Sequence, residues 1–184
     1  MMENLIGSQS IIITLDVDAL LLDRLQQVAQ SGFTVVEINS IEQDLLRKVI
    51  QDFPTLRIGA GNIISTQQLE MYYQARAHFI TSPGFTLALA QTASIYSINY
   101  LPGVGTLSEA MQAMTLGYNQ VRPFPADLKF CTLLNKSLPQ LRLYPAEIEW
   151  EEAQHFLNLP SVAAVSILNP ENKQLRALSS GVLA

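Results

Sequence analysis

Arg122 is the residue of this chain best placed for chemistry, because it lies where a short strand must end. The segment 121–127 begins as an apolar strand, and Pro123 and Pro125 interrupt it. Proline has no N–H for a ladder bond, so strand pairing stops there. In α/β folds ligands bind at the carboxyl ends of the strands, which is where this pattern places Arg122.

A cation at that position requires an anionic partner, since a buried unpaired charge is costly. Glu37 has the matching requirement, because it is the only charge in the apolar run 33–38 and ends a buried strand. We expect Glu37 and Arg122 to face each other in the mouth of the fold. The pattern leaves two interpretations of Arg122 open: a structural ion pair, and a cation that binds a ligand.

The composition favours one soluble domain over residues 1–184. Hydrophobic residues make up 48% of the chain and charged residues only 15%, which indicates that partners cover part of the surface. The net charge of −5 and the lack of a basic run argue against nucleic-acid binding. The sequence shows neither a long apolar run nor a leader pattern, so we expect a cytoplasmic protein that binds no membrane.

Neither a metal nor a cofactor is expected. Cys131 is the single cysteine and is interpreted as a small buried hydrophobe. His78 begins a predicted strand at its amino-terminal end, and His155 lies on a predicted helix. The sequence therefore offers no cluster with the spacing of metal ligands.

Strands and helices alternate along the chain, which predicts βαβ units and a parallel sheet. Eight units favour a (β/α)₈ TIM barrel, with a doubly wound open sheet as the alternative. The residues after Asn169 leave room for a short last helix or none. Asp16 or Asp18 is expected to cap the first helix, and Thr106 or Ser108 the fifth. The strands are predicted at 11–15, 33–38, 56–60, 78–81, 96–101, from 121, 141–144 and 161–167. The helices are predicted at 21–30, 41–51, 66–75, 85–92, 107–116, 126–135 and 150–157.

Polar, glycine and proline residues gather in five blocks at the predicted strand ends. The blocks are Val35-Val36-Glu37-Ile38, Ile58-Gly59-Ala60-Gly61-Asn62, Phe79-Ile80-Thr81-Ser82-Pro83-Gly84-Phe85, the run Leu101 to Glu109, and Phe124-Pro125-Ala126-Asp127. In this order and spacing they resemble the 2-keto-3-deoxy-6-phosphogluconate (KDPG)/4-hydroxy-2-oxoglutarate (KHG) aldolases, which are trimeric (β/α)₈ lyases. The likeness runs from about residue 33 to 126, and more faintly to 166.

The resemblance implies a site at the barrel mouth. It gives Glu37 the role of general acid/base, a small oxo-acid such as pyruvate as the ligand, and a homotrimer as the assembly. A short last helix would also expose apolar strand surface, which a partner normally covers. The ligand contacts implied are Gly59, Gly61, Asn62, Ser82, Pro83, Gly84, Phe85, Pro102 and Phe124.

The same comparison removes the family's nucleophile. These lyases cleave a 4-hydroxy-2-oxo acid to pyruvate and an aldehyde through a lysine Schiff base, and the lysine stands two residues before Phe-Pro-Ala. Here Arg122 occupies that position. A Schiff base needs a neutral amine, and guanidinium does not deprotonate in proteins. The lysines of the chain are expected on the surface, and they are Lys48, Lys129, Lys136 and Lys173.

Three further departures concern anion binding. After its glutamate the family continues Thr-x-Arg-Thr, with an arginine that helps hold the substrate carboxylate, whereas this chain has Asn39-Ser40-Ile41. A family Pro-Thr-Gly-Gly becomes Pro145-Ala146-Glu147-Ile148, in which Glu147 would repel an anion. A glycine pair after the eighth strand becomes Ser166-Ile167.

The sequence therefore favours a catalytically degenerate member of this family that binds a small oxo-acid or another small anion at the barrel mouth. Two alternatives stay open, so the sequence does not decide whether the protein is an enzyme. One is an active lyase that cleaves a 4-hydroxy-2-oxo acid without a lysine at position 122. The other is a ligand-free assembly subunit whose pocket the Arg122–Glu37 pair closes.

Overall fold

Strands and helices alternate throughout the computed structural model, which describes residues 9–179. A 3₁₀ turn at Trp150–Glu152 leads into the seventh helix. The strands are β1 (Ile11–Asp16), β2 (Val35–Asn39), β3 (Arg57–Gly61), β4 (Phe79–Thr81), β5 (Tyr100–Leu101), β6 (Gly103–Val104), β7 (Gln120–Pro123), β8 (Arg142–Leu143) and β9 (Val165–Leu168). The helices are α1 (Leu21–Gln30), α2 (Gln43–Asp52), α3 (Thr66–Gln74), α4 (Leu87–Ile95), α5 (Leu107–Thr115), α6 (Leu128–Ser137), α7 (Ala153–Leu157) and α8 (Asn172–Ser179).

The strands form two parallel sheets in a TIM-barrel-like arrangement. The larger has six strands in the order β5-β4-β3-β2-β1-β9, and the smaller has the order β6-β7-β8. Only Pro102 separates β5 from β6, and its carbonyl accepts the Arg122 amide at 2.8 Å. Isolated parallel bridges join Leu143 to Val162 and Ile148 to Ile167. The predicted α/β class and the parallel pairing are confirmed.

The strands are apolar on both faces, as expected of parallel strands covered by helices. All residues of β2 are buried, including its polar members. In β1 the side chains alternate, so Ile11 and Ile13 belong to the main core whereas Ile12 belongs to a second, smaller cluster. Both faces of the sheet are therefore packed, and a charged side chain on a strand must find its partner inside the protein.

Local backbone interactions overturn several predicted boundaries. The fifth strand is not 96–101, because α4 ends in a turn in which the amides of Ser97 and Ile98 bond back to the helix and Ser97 has φ 53°. The eighth strand begins at Val165 rather than at 161, because Ser161 lies in a turn and Val162 makes only an isolated bridge to Leu143. The sixth helix begins two residues later than predicted, after Asp127, whose side chain accepts the Phe130 amide.

The aspartates before α1 do not cap it. The N-cap is Leu20, without a side-chain hydrogen bond, and Asp18 accepts the Leu20 amide at 2.8 Å in the preceding turn. Asp16 contacts two asparagines instead. At α5 the expectation is met, since Thr106 and Glu109 form a complete capping box.

The last helix is present and short. α8 has eight residues, and its Leu175 and Leu178 are buried. The alternative of a missing helix is therefore wrong, and the apolar surface expected beside the last strand is covered. Within residues 9–179, each helix is too short or too polar to cross a bilayer.

Candidate active site

The centre of the site is an ion pair between residues of opposite sheets. Glu37 lies in the middle of β2, and Arg122 lies in β7 just before Pro123. Arg122 Nη1 donates to Glu37 Oε1 at 2.6 Å, and the two residues are 3% and 1% exposed. The predicted contact between Glu37 and Arg122 is confirmed. Because both charges are buried, each depends on the other for compensation.

The same nitrogen of Arg122, Nη1, also makes a hydrogen bond to the end of β4. It donates to Thr81 Oγ1 at 2.5 Å, and Thr81 is the last residue of β4. The Phe124 ring lies on the other side, with its centroid 5.4 Å from Arg122 Cζ. Nε of Arg122 is buried and has no hydrogen-bond partner among the described residues. One edge of the guanidinium is thus fully engaged while the other is not.

The loop after β8 brings a second carboxylate to Arg122. Glu147 Oε1 lies 3.9 Å from Arg122 Nη2, and Asn39 Nδ2 donates to the same oxygen at 3.1 Å. The loop is held because the Glu147 amide donates to Ser166 Oγ at 2.7 Å. Glu147 has φ 55°, a conformation that glycine adopts more easily. The carboxylate that should repel an anion therefore lies beside the site's cation.

The network continues from Asn39 to the end of β1. Asn39 Nδ2 also donates to Asp16 Oδ1 at 3.2 Å, and Asn169 Nδ2 donates to Asp16 Oδ2 at 2.9 Å. These contacts join the carboxyl ends of β1, β2 and β9. The formal charges of Glu37, Glu147 and Arg122 sum to −1, and Asp16 adds another negative charge nearby.

Gly61 makes room for this arrangement. A Cβ on Gly61 would lie 2.6 Å from Asn39 Oδ1 and 2.7 Å from Glu37 Oε1. A side chain at position 61 would push both groups out of place. Gly61 is the last residue of β3, at the strand end where the sequence placed it. Its lack of a side chain leaves the space that Glu37 and Asn39 occupy.

Other predicted residues surround the pair as buried supports. Gly59 faces the Phe79 ring, and Pro102 is buried and accepts the Arg122 amide. Ser82 is buried with its hydroxyl 2.5 Å from the Tyr100 hydroxyl. Burial raises the pKa of Tyr100, and the bond to Ser82 opposes that rise. The Tyr100 hydroxyl is thus neutral at physiological pH and serves as a hydrogen-bonding group.

The remaining predicted residues lie toward the surface. Asn62 is exposed with φ 66°. Pro83, Gly84 and Phe85 line an open depression of about 240 Å³ together with Ile63, Ile64, Thr86 and Leu89. Within residues 9–179, the side-chain hydrogen bonds and ion pairs of Glu37 and Arg122 do not involve these residues.

The side chains needed for Schiff-base or metal chemistry are not at the site. Every lysine of the chain is exposed on a helix: Lys48 on α2, Lys129 and Lys136 on α6, and Lys173 on α8. Across residues 9–179, His, Cys, Asp and Glu side chains form no group of three that could hold a metal ion. The arrangement can bind and orient an ion, and it offers no nucleophilic amine.

Four residues of the network were not assigned to the site from the sequence. They are Thr81, Asn39, Asp16 and Asn169. Thr81 stood in one of the five blocks, and Asn39 was noted only as a departure from the family pattern. Their shared signal is that polar residues at the ends of buried strands need partners, the same argument that identified Glu37. Asn169 carried no signal beyond preceding a proline.

Comparison with known proteins identifies the family of this chain and supports its fold. A family model described as "KDPG and KHG aldolase" matches residues 7–173. The 2-dehydro-3-deoxy-phosphogluconate aldolase of Pseudomonas aeruginosa is 29% identical over 162 residues, which is 84% of this chain and 74% of that protein.

Two solved structures are similar over nearly their whole length. The Legionella pneumophila KDPG aldolase, with pyruvate captured as a covalent carbinolamine intermediate, has a TM-score of 0.82 at 25% identity and covers 97% of this chain and 95% of its own. The Zymomonas mobilis aldolase with 3-phosphoglycerate has a TM-score of 0.86 at 21% identity, covering 98% and 94%. The family model spans most of the chain and the fold agrees with it, so this protein belongs to the KDPG and KHG aldolase family.

Proposed function

We propose that this protein is a catalytically degenerate member of its family that binds a small oxo-acid without covalent chemistry. The observation that carries the proposal is the buried pair of Arg122 and Glu37, 2.6 Å apart. Arg122 occupies the position of the Schiff-base lysine in the resemblance. Glu37, the acid/base by the same resemblance, here holds the guanidinium in place.

The degeneracy follows from the chemistry of the two side chains. A guanidinium stays protonated in proteins, so Arg122 has no lone pair with which to attack a carbonyl. A substitute lysine would have to reach the site from an exposed helix surface, since all four lysines lie there. A carbinolamine like the one in the Legionella structure therefore has no amine to form on.

A small oxo-acid such as pyruvate is the proposed ligand. The Legionella relative was captured with pyruvate as a covalent carbinolamine, and Arg122 supplies a buried cation at the position that the resemblance gives the Schiff-base lysine. Glu37 and Arg122 form the floor of the proposed site. Of the residues expected from the resemblance, the proposed walls are Gly59, Gly61, Ser82, Pro102 and Phe124. Asn62, Pro83, Gly84 and Phe85 lie farther toward the surface.

The same proposal extends to the whole molecule. The two sheets close into one (β/α)₈ barrel within a single domain, with β5 and β6 as two halves of one barrel strand. The support is that Pro102 alone separates them and that isolated bridges link the segment after β8 to β9. The protein is a cytoplasmic homotrimer, as the resemblance implies.

Two assays on the wild type test the function. The first measures pyruvate release from 4-hydroxy-2-oxoglutarate, coupled to lactate dehydrogenase, with the Pseudomonas relative as the positive control. We expect no release above the buffer blank, and a rate near that of the relative would contradict degeneracy. The second is a calorimetric titration with pyruvate, for which we expect saturable binding. Absence of binding up to about 10 mM, weaker than about −2.7 kcal/mol, would contradict the ligand assignment.

A further inference from the structure

We infer that the edge of the Arg122 guanidinium formed by Nε and Nη2 binds the carboxylate of the ligand. The Glu147 carboxylate competes with the ligand for this edge. The inference rests on the proposed function, and it adds how the ligand is recognised and what opposes its entry. It concerns the two guanidinium nitrogens that do not contact Glu37.

The guanidinium presents five N–H groups in a fixed fork. Nη1 directs its two N–H groups toward Glu37 and Thr81. Nε and Nη2 form the side-on edge, whose two parallel N–H groups match the two oxygens of a carboxylate. Nε is buried and has no hydrogen-bond partner in residues 9–179, and Nη2 has only Glu147 Oε1 at 3.9 Å, too far for a hydrogen bond.

A buried donor without a partner is unfavourable, so the Nε–H group of this edge is unsatisfied. Arg122 is 3% exposed, which keeps bulk water from satisfying it. A planar carboxylate on Nε and Nη2 would give both nitrogens a charge-assisted hydrogen bond. Arg122 could then bind Glu37 with one nitrogen and the ligand with the other two.

Glu147 has the features of a competitor for that edge. Its carboxylate is the same chemical group as the ligand's, and its side chain is 22% exposed, so it can swing toward solvent. Asn39 Nδ2 holds it near the guanidinium, and the bond from the Glu147 amide to Ser166 Oγ fixes the loop. While Glu147 is there, the negative formal charge around Arg122 opposes a second carboxylate.

The class of ligand follows from the size and shape of the edge. Displacing one glutamate carboxylate frees room for one planar carboxylate, which is the anionic group of a small 2-oxo acid. A tetrahedral phosphate matches the planar fork less well without further donors, and the loop offers Glu147 where the family pattern has glycine.

Pyruvate titrations of matched variants test the inference. Glu147→Gln removes the competing charge and keeps an amide oxygen for Asn39. Glu149→Gln makes the same charge change at an exposed residue two positions away. We expect Glu147→Gln to bind pyruvate about tenfold more tightly than wild type and Glu149→Gln to bind as wild type does. Pyruvamide, which lacks the carboxylate, should show no such gain, and thermal melting of both variants controls for folding.

The outcomes separate this inference from the proposed function. If wild type binds pyruvate and Glu147→Gln binds no more tightly than Glu149→Gln, the inference is wrong and the proposed function stands. If Glu147→Gln binds and wild type does not, the inference holds and the proposed binding by wild type is wrong. If neither binds, both are wrong, and an equal gain for pyruvamide also refutes the inference.

A nuclear magnetic resonance measurement observes the edge itself. The Arg122 Nε–H signal in a ¹⁵N-labelled sample of Glu147→Gln is identified by its loss in a sample that also carries Arg122→Lys. Saturating pyruvate should shift this signal downfield, because a new acceptor reaches a previously unpaired N–H. An unchanged signal at saturation would place the carboxylate elsewhere and overturn the inference.

Discussion

Position 122 keeps the positive charge of a lysine but gives up its nucleophilicity. Lysine can lose its proton when buried, whereas arginine cannot, and arginine's planar fork can hold two acidic groups at once. In this protein one nitrogen serves Glu37 and Thr81, and the other edge faces Glu147. Under the proposed function, Arg122 thus organises the site at the position where the resemblance gives the family its reacting lysine.

Loss of the charge on Glu37 should destabilise the fold strongly. Glu37→Gln leaves the guanidinium of Arg122 buried with reduced compensation, and breaking a buried pair typically costs about 3–5 kcal/mol. Urea denaturation followed by circular dichroism measures the free energy of unfolding. The matched control is Asp44→Asn in the surface pair with Arg47, where Asp44 is 94% exposed and the expected loss is below about 1 kcal/mol. Equal losses for the two variants would show that the buried pair is not structural.

Restoring the lysine alone should not restore catalysis. In Arg122→Lys the ammonium still faces the Glu37 carboxylate, and Glu147 still occupies the loop. A substrate that is not held in position loses an orientation contribution of up to about 7–11 kcal/mol. Pyruvate release from 4-hydroxy-2-oxoglutarate should stay at the blank, and robust turnover by this single variant would show that the site is more intact than we describe.

The pair at the centre of the site was predictable because a buried charge has few acceptable partners. Glu37 and Arg122 stood out against apolar runs, and the structure joins them. The roles of Thr81 and Asn39 were not predictable in the same way, since a neutral polar residue can be satisfied by backbone or water. Glu147 was recognised as an obstacle to anions, but its approach to Arg122 depends on a loop conformation that no periodicity encodes.

At the scale of elements, the capping box of α5 tests whether local hydrogen bonds determine where this helix begins. Thr106 Oγ1 accepts the Glu109 amide at 3.2 Å, and Glu109 accepts the Thr106 amide at 3.0 Å. Thr106→Ala should lower the free energy of unfolding by about 1 kcal/mol. Ser108→Ala, at the other residue that the sequence offered as a cap, should change it little. If Ser108→Ala cost as much as Thr106→Ala, the helix start would be misplaced.

Periodicity located seven helices and eight strands of residues 9–179, but it did not locate β6 or assign α8, and it missed several of the ends. Buried faces such as Leu21, Leu25 and Val28 in α1 repeat at helical spacing, so the helix was evident. Residues 96–99 resemble a strand because the apolar side chains of tyrosine and isoleucine alternate with the polar side chains of serine and asparagine. The amides of residues 96–98 instead bond back to carbonyls of α4 and close its end, a backbone arrangement that side-chain patterns do not report. The division between β5 and β6 likewise follows from Pro102, which lacks the donor that a continuous strand would need.

At the scale of the whole molecule, the two most exposed large apolar side chains of residues 9–179 lie in α4 and just before α3. Ile95 is 78% exposed and Ile64 is 74% exposed. Tyr73 and Tyr96 pack together with their ring centroids 5.1 Å apart, which joins the outer surfaces of α3 and α4. The sequence predicted an oligomer because a short last helix would expose apolar strand surface, which α8 covers. The exposed apolar side chains around α3 and α4 now support the prediction instead.

Light scattering at micromolar concentration tests the assembly. We expect a mass three times that of the 20.4 kDa chain, because cyclic symmetry would bury the same apolar face on each subunit. A mass of one chain would refute an oligomer. A dimer would preserve the argument from apolar burial and reject the stoichiometry taken from the family.

The proposed function requires that this member of the family forms no Schiff base. Wild-type protein is incubated with pyruvate and sodium borohydride, and its intact mass is measured, with the Pseudomonas relative treated in parallel. We predict that the relative gains one reduced pyruvate adduct and that this chain keeps its unmodified mass, because Arg122 cannot attack and the lysines are exposed on helices. A stoichiometric adduct on this chain would contradict the account.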